Sequence, residues 1–253
     1  MELECYCIPE GEFLEPILQL RNLSKTFGGL VAVRDLDFSV TEGEILGLIG
    51  PNGSGKTTSF NLISGFLKPD SGEVRFNGTN VTGLRPHRIC QFGIARTFQL
   101  TKPFPSMSAL QNVLIGRMYG SRPVLSRKEA EKECEGLLEF VGLRDKTRST
   151  ASNFGVIDRK RLEVARALAT KPKLLLLDEM MSGLNPQEMN EAIDLVKAIA
   201  KTGITLIVVE HVMKAILDLS KKLVVLNYGQ KIAEGDPREV LRDPKVVEAY
   251  LGE

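Results

Sequence analysis

Residues 50–57, Gly50-Pro51-Asn52-Gly53-Ser54-Gly55-Lys56-Thr57, fit the spacing G-x-x-x-x-G-K-[ST], and Thr58 follows. Glycines at this spacing let a turn close its N–H groups around phosphate oxygens, and a following helix adds its positive end. In that arrangement Lys56 reaches the β- and γ-phosphates, and the Thr57 hydroxyl suits Mg²⁺. A second group lies in LLLLDE, 174–179. A carboxylate at the C-terminal end of a buried strand faces the crevice where open α/β sheets bind ligands. Asp178 there suits Mg²⁺, and Glu179 can orient or deprotonate an attacking water. The third is His211 in VVEHVM, at the end of the next strand-like run, where an imidazole can hydrogen-bond a γ-phosphate. Together these types support transfer of a terminal phosphoryl group to water. His87 lies in an irregular stretch and takes no role.

The elements that must position these residues can be read from periodicity. ILQLRNLSKTF and LDFSV are short β-like runs, and EILGLIG is apolar enough for a strand buried on both faces. The glycine-rich turn and a helix follow it, the context that the phosphate loop requires. EVRFNG alternates like an edge strand. Between about 85 and 165 the spacing is mostly helical, while strand and helix alternate on both flanks. That shift predicts an α-helical subdomain inserted in an α/β core. Beyond it come KLLLLDE, a helix over PQEMNEAIDLVKAIA with Met189, Ala192, Ile193, Val196 and Ile199 on one face, the strand ITLIVVE, and a hairpin turning at Tyr228–Gly229.

One helix starts oddly. SNFGVIDRKRLEVARAL reads as a helix from Arg159 with Asp158 as N-cap. Yet Arg159, Lys160 and Arg161 load its first turn with cations, where the helix dipole prefers anions.

Composition narrows the function. The chain has 253 residues, 43% hydrophobic and 26% charged, with a formal net charge of +1. Such a chain buries a sizeable core, and its charge balance gives no bulk field for nucleic acid. Cys5, Cys7, Cys90 and Cys134 have neither zinc-ligand nor disulfide-framework spacing, and read as free thiols in a reducing compartment. No apolar run approaches the ~18 residues of a membrane span, and the acidic, proline-broken start is unlike a signal peptide. Membrane association then has to come through a partner.

The phosphate loop, LLLLDE, strand-end His211 and a helical insertion carrying Gln99 together resemble the nucleotide-binding subunit of ABC transporters over about residues 17–253. ISGFLKPDSGEVRFNG, GIARTFQ, GLNP and VVEAYLGE make the chain look more narrowly like the branched-chain amino acid importer ATPases. Urea, amide and other small-polar-solute importers share such subunits. The resemblance implies a P-loop NTPase core, with a mixed sheet, flanking helices, an antiparallel β part and the helical insertion, preceded by a tail over 1–16. It implies ATP and Mg²⁺ as cofactors. Phe27 would stack on adenine, Gln99 would reach Mg²⁺ and water from a hinge, and Lys56, Glu179 and His211 would carry the hydrolysis. Ser182-Gly183-Leu184-Asn185 would cross to an opposing subunit, with Asn185 where many relatives have Asp. Met180 and Met181 stand where relatives often have proline after the glutamate.

The family's signature Leu-Ser-Gly-Gly-Gln falls on Phe154-Gly155-Val156-Ile157-Asp158. In these ATPases two subunits meet head to tail, and each signature points at ATP held by the other. The cationic turn would then meet the opposing γ-phosphate, with Asp158 turned away into the cap. The missing serine would cost about 1.5–3 kcal/mol there, and Ile157 could not readily take a positive φ. A subunit with an intact site of its own and a weakened contribution to its partner's site is the expectation, and it favours a heterodimer. Implied partners are transmembrane permeases, a second ATPase subunit and, indirectly, a periplasmic or extracellular solute-binding protein, with the chain on the cytoplasmic face of the membrane. A weakly hydrolysing nucleotide-binding regulator and an exporter ATPase stay open on the sequence.

Overall fold

The computed structural model describes residues 16–99, 101, 103–122 and 126–251. The expected tail up to residue 15, with Cys5 and Cys7, lies outside the described residues. Two sheets form the α/β framework. The first is antiparallel and carries β1 (Leu18–Phe27), β2 (Leu30–Val40), β4 (Ser71–Phe76) and β5 (Thr79–Asn80) in the order β2-β1-β4-β5. EVRFNG, expected as an edge strand, lies second from the edge, because the two-residue β5 pairs with Arg75 and Phe76 on the side away from β1. The second sheet has the order β10-β9-β3-β8-β7-β6. Its members are β3 (Ile45–Ile49), β6 (Ile94–Arg96), β7 (Leu174–Asp178), β8 (Thr205–Val209), β9 (Lys222–Asn227) and β10 (Gln230–Gly235).

β9, β3, β8, β7 and β6 run parallel, and β10 closes the hairpin antiparallel to β9. β3, β7 and β8 are buried at every position, because helices and the first sheet cover both faces, and their continuous apolar sequences follow from that. The helix α1 (Lys56–Ile63) packs Phe60, Leu62 and Ile63 between the sheets, against Leu18, Phe38 and Val74 of the first and Leu174 and Leu176 of the second. On the other face α6 (Pro186–Lys201) lays Ala192, Ile193, Val196 and Ile199 over Leu175 and Leu206.

The stretch 85–165 is not helical throughout. It holds α2 (Pro86–Phe92), α3 (Ala109–Tyr119), α4 (Arg127–Phe140) and the start of α5 (Val156–Ala169), but β6 also lies within it and pairs with β7 in the core sheet. Ile94 and Ala95 look like any short apolar run. Only their pairing with Leu174 and Leu175 makes them strand. α3, α4 and α5 share one core through Val113, Leu138 and Leu162, continuous with Leu175 of the sheet. Among the described residues no helix is long and apolar enough to cross a membrane.

Candidate functional site

Four parallel strands deliver the candidate residues at their C-terminal ends. β3 runs into residues 50–58, β6 leads to Gln99, β7 ends at Asp178 and Glu179, and β8 runs into Glu210 and His211. Parallel strands put all these ends on one edge of the sheet.

The loop after β3 is shaped by its glycines. Gly50 has φ +152, and a Cβ on it would lie 2.1 Å from the Leu226 carbonyl; Gly55 has φ +104, and a Cβ there would lie 2.6 Å from the Ala32 carbonyl. Neither position admits a side chain. Gly55 caps α1 without a side-chain acceptor, and no acid stands in the first turn. The N–H groups that begin an α-helix need acceptors from outside the helix, so this end suits an anion. Lys56 is buried and donates to the carbonyls of Gly50 at 2.6 Å and Pro51 at 2.9 Å, with Ser54 Oγ 3.4 Å away. Asn52, Gly53 and Thr57 are exposed, Pro51 is buried and Thr58 is half-buried.

Asp178 is held by two neighbours. Its N–H donates to Thr97 Oγ1 at 3.1 Å, and its Oδ2 accepts from Arg96 Nη2 at 2.8 Å. Both partners of that ion pair are buried, with 6% and 4% of the side chain exposed. Arg96 also donates to Asn61 Oδ1 of α1 at 2.6 Å and stacks on Phe60 and Phe98. Thr57, Gln99 and Asp178 line one cavity of about 700 Å³. A threonine hydroxyl, a carboxylate and an amide beside a phosphate loop fit a small hard cation such as Mg²⁺, which retains water and phosphate ligands.

Glu179 is bonded through both oxygens. Oε1 lies 2.8 Å from His211 Nε2, and Oε2 accepts from Gln99 Nε2 at 2.6 Å. Residues 99, 179 and 211 thus meet from three strand ends. Glu179 has φ +48, a left-handed conformation uncommon outside glycine. Phe27 ends β1 with 43% exposure, and Lys25 Nζ lies 5.6 Å from its ring centre. The adjoining β2 touches the phosphate loop at the Ala32 carbonyl.

The signature segment departs from expectation. α5 begins at Val156 with Gly155 as N-cap, and Arg159 N–H donates to the Gly155 carbonyl at 3.1 Å. Asp158 is therefore in the first turn and not the cap. It faces Lys146 Nζ at 2.5 Å, and an acid there also complements the dipole. Ile157 lies within the helix and not at positive φ, so the feared strain does not arise. Gly155 is extended, and a Cβ on it meets nothing within 4 Å; Val156 is exposed. The cations do not wait for an opposing phosphate. Lys160 donates to main-chain carbonyls of 179–182, Arg161 pairs with Glu191 at 2.6 Å, and Arg159 approaches the Ser152 carbonyl at 3.4 Å. Asn185 caps α6 by accepting from the N–H groups of Gln187 and Glu188.

Sequence reasoning missed Arg96 and Glu210 at this edge, and it read Lys160 and Glu163 only as charges of the α5 start. Glu163 accepts from Phe98 N–H at 2.8 Å, and burial pushes its carboxyl up to about 7 despite that bond and the nearby Arg166. Glu210 accepts from Met181 N–H at 2.7 Å and is likewise pushed up by burial to about 7. A charge inside an apolar run, as in IAR or LEVA, was the available signal.

Residues 33–182 match the family model for the ABC transporter, and residues 230–253 match that for the branched-chain amino acid ATP-binding cassette transporter. The high-affinity branched-chain amino acid transport ATP-binding protein BraF of Pseudomonas aeruginosa is 36% identical, over 94% of this chain and 98% of its own. A probable branched-chain amino acid transport ATP-binding protein, LivG of Archaeoglobus fulgidus, is 41% identical over 93% of this chain and 95% of its own. The crystal structure of the ADP conformation of an ATP-binding cassette of an ABC transporter superposes with a TM-score of 0.86 at 35% identity, covering 94% of this chain and 99% of that one. On its phosphate loop, its strand-end carboxylates and these matches, the chain belongs to the ABC transporter family, among the branched-chain amino acid transport ATP-binding proteins.

Proposed function

We propose that this chain is the ATP-binding and ATP-hydrolysing subunit of an importer for branched-chain or other small amino acids. Glu179 carries the reading, because His211 and Gln99 hold its carboxylate at the sheet edge where the phosphate loop also lies. ATP would lie with its phosphates on the N–H groups of 50–58 and its adenine against Phe27. Lys56 would turn from the loop carbonyls to the β- and γ-phosphates. Glu179 would orient or accept a proton from the attacking water, and His211 would donate to the γ-phosphate. Thr57, Asp178 and Gln99 would hold Mg²⁺, which when bound offsets negative charge on the phosphates.

Two permease subunits and a second ATPase subunit, a different chain and not a copy of this one, would complete the assembly on the cytoplasmic face of the membrane. A solute-binding protein would act indirectly. Phe98, next to Gln99, meets Phe66 edge-on at 5.4 Å, and both rings are exposed at 41% and 53%, which supports a permease contact there. Regulator and exporter readings are not favoured, since relatives over nearly the whole length are named for branched-chain amino acid transport. The test is Glu179→Gln in the full chain with Mg·ATP. Turnover should fall roughly 10²- to 10⁴-fold while ATP affinity stays within about 2-fold; retained turnover would sink the reading.

A further inference from the structure

Lys160 lies in the first turns of α5, one turn beyond the exposed start of the helix, and its ammonium reaches across to the turn after β7. Nζ lies 2.6 Å from the Ser182 carbonyl, 2.9 Å from that of Met180 and 3.3 Å from that of Glu179. An ammonium has three protons and no acceptor, so this convergence matches its capacity. The turn needs outside support. It contains no proline, its first residue is a glutamate at φ +48, and such a conformation persists only where surrounding contacts over-determine it.

Those contacts come from two sides. From β8, the Val209 carbonyl accepts from Glu179 N–H at 2.9 Å, and Glu210 accepts from Met181 N–H at 2.7 Å. From α5, Lys160 takes the carbonyls. Burial pulls the Lys160 pKa down, and Glu210, Glu163 and Glu179 oppose that pull; the ammonium is bound among acids and carbonyls and not spread into solvent.

We propose that Lys160 is a positioning residue for hydrolysis, bonding the 179–182 turn so that the Glu179 carboxylate stays aimed between Gln99 and His211. It acts through Glu179 and does not touch ATP. The proposal rests on the reading of Glu179 as the water-directing carboxylate. It also gives the cationic start of α5 a purpose within its own chain: Lys160 ties the segment that matches the signature to the carboxylate of the same subunit.

The test measures steady-state ATP turnover and equilibrium ATP binding on the full chain for Lys160→Met, Lys160→Arg and Glu179→Gln, and for Lys160→Met combined with Glu179→Gln. The Met variant keeps the apolar stem and lacks the donors. Its kcat should fall about 10- to 100-fold, as misplacement of a reacting group by about 1 Å does, with KM and ATP affinity within about 2-fold. Arg, which also donates to several carbonyls, should recover kcat to within about 3-fold of wild type. In the Glu179→Gln background the Met substitution should cause no further loss, because the two act as one unit.

A wild-type kcat for Lys160→Met overturns the proposal, and so does equal loss of turnover and ATP affinity, or an additive loss in the double variant. If instead Glu179→Gln itself keeps turnover, the reading of Glu179 fails. Should the Met variant not fold, Lys160→Gln, with one amide to offer, is expected to have a kcat between those of wild type and Glu179→Gln; wild-type kcat there overturns the proposal equally.

Discussion

The two ends of the site are built on opposite plans. The proposed phosphate cradle is one run of nine consecutive residues, 50–58, and would work through main-chain N–H groups that glycines free from side-chain obstruction. The proposed hydrolytic end gathers side chains from distant segments: Arg96 and Gln99 at and beyond the end of β6, Lys160 on α5, Asp178 and Glu179 at the end of β7, and Glu210 and His211 after β8. The cradle tolerates little change in backbone, and what the rest of the chain brings against it is chiefly main chain, the carbonyls of Ala32 and Leu226 and the N–H of Gly229. At the hydrolytic end each group is placed by a partner tens of residues away, so a single remote substitution can displace the chemistry.

That contrast can be broken experimentally. The largest effect is expected from Arg96→Met, which strands the buried Asp178 carboxylate without its cation. Removing one partner of a buried pair costs about 3–5 kcal/mol, so a denaturant titration should show a clear fall in midpoint. An unchanged midpoint would mean that the carboxylate relaxes freely and that the contrast is overdrawn. At the cradle, Lys56→Ala should weaken ATP binding by about 1.5–3 kcal/mol, roughly 10- to 150-fold, through loss of a charged hydrogen bond, with the fold retained. Direct nucleotide titration measures it, and a fall in stability as large as that of Arg96→Met would erase the distinction.

The smallest effect is a pH dependence at the hydrolytic end. Glu163 keeps its proton up to about 7 in the folded chain against an ordinary value of 4.5. Between those limits the folded state binds the proton and the unfolded state has released it, so this contribution is full below about 4.5 and is lost as pH rises through about 7. Glu163→Gln, which retains an acceptor for Phe98 N–H, should therefore flatten the fall in Tm across that window. Parallel Tm curves for variant and wild type would show that the carboxyl is ionised throughout.

Legibility followed the same division. GPNGSGKT, LLLLDE and VVEHVM could be read directly, since each combines a local chemical pattern with the element that carries it, and α6 showed its buried face through spacing alone. The start of α5 could not. RKR after an acid looked like a cap followed by cations awaiting an external anion. The helix in fact begins earlier, at Val156, and Lys160 and Arg161 find carbonyls and Glu191 in their own chain. β6 was absorbed into a helical stretch because a three-residue run has no measurable period.

The amino-acid order alone determined the glycine-rich turn between β3 and α1, the alternation of strand and helix, and which residues end the buried strands, because these depend on backbone freedom and on the burial of neighbouring side chains. The tertiary structure decided the partners of the charges. Arg96 with Asp178, Glu163 with Phe98, Lys160 with the 179–182 turn and Glu210 with Met181 are joined across 82, 65, about 20 and 29 residues of chain. A buried charge must find a counter-group wherever the packed chain supplies one, and sequence separation carries no record of that choice.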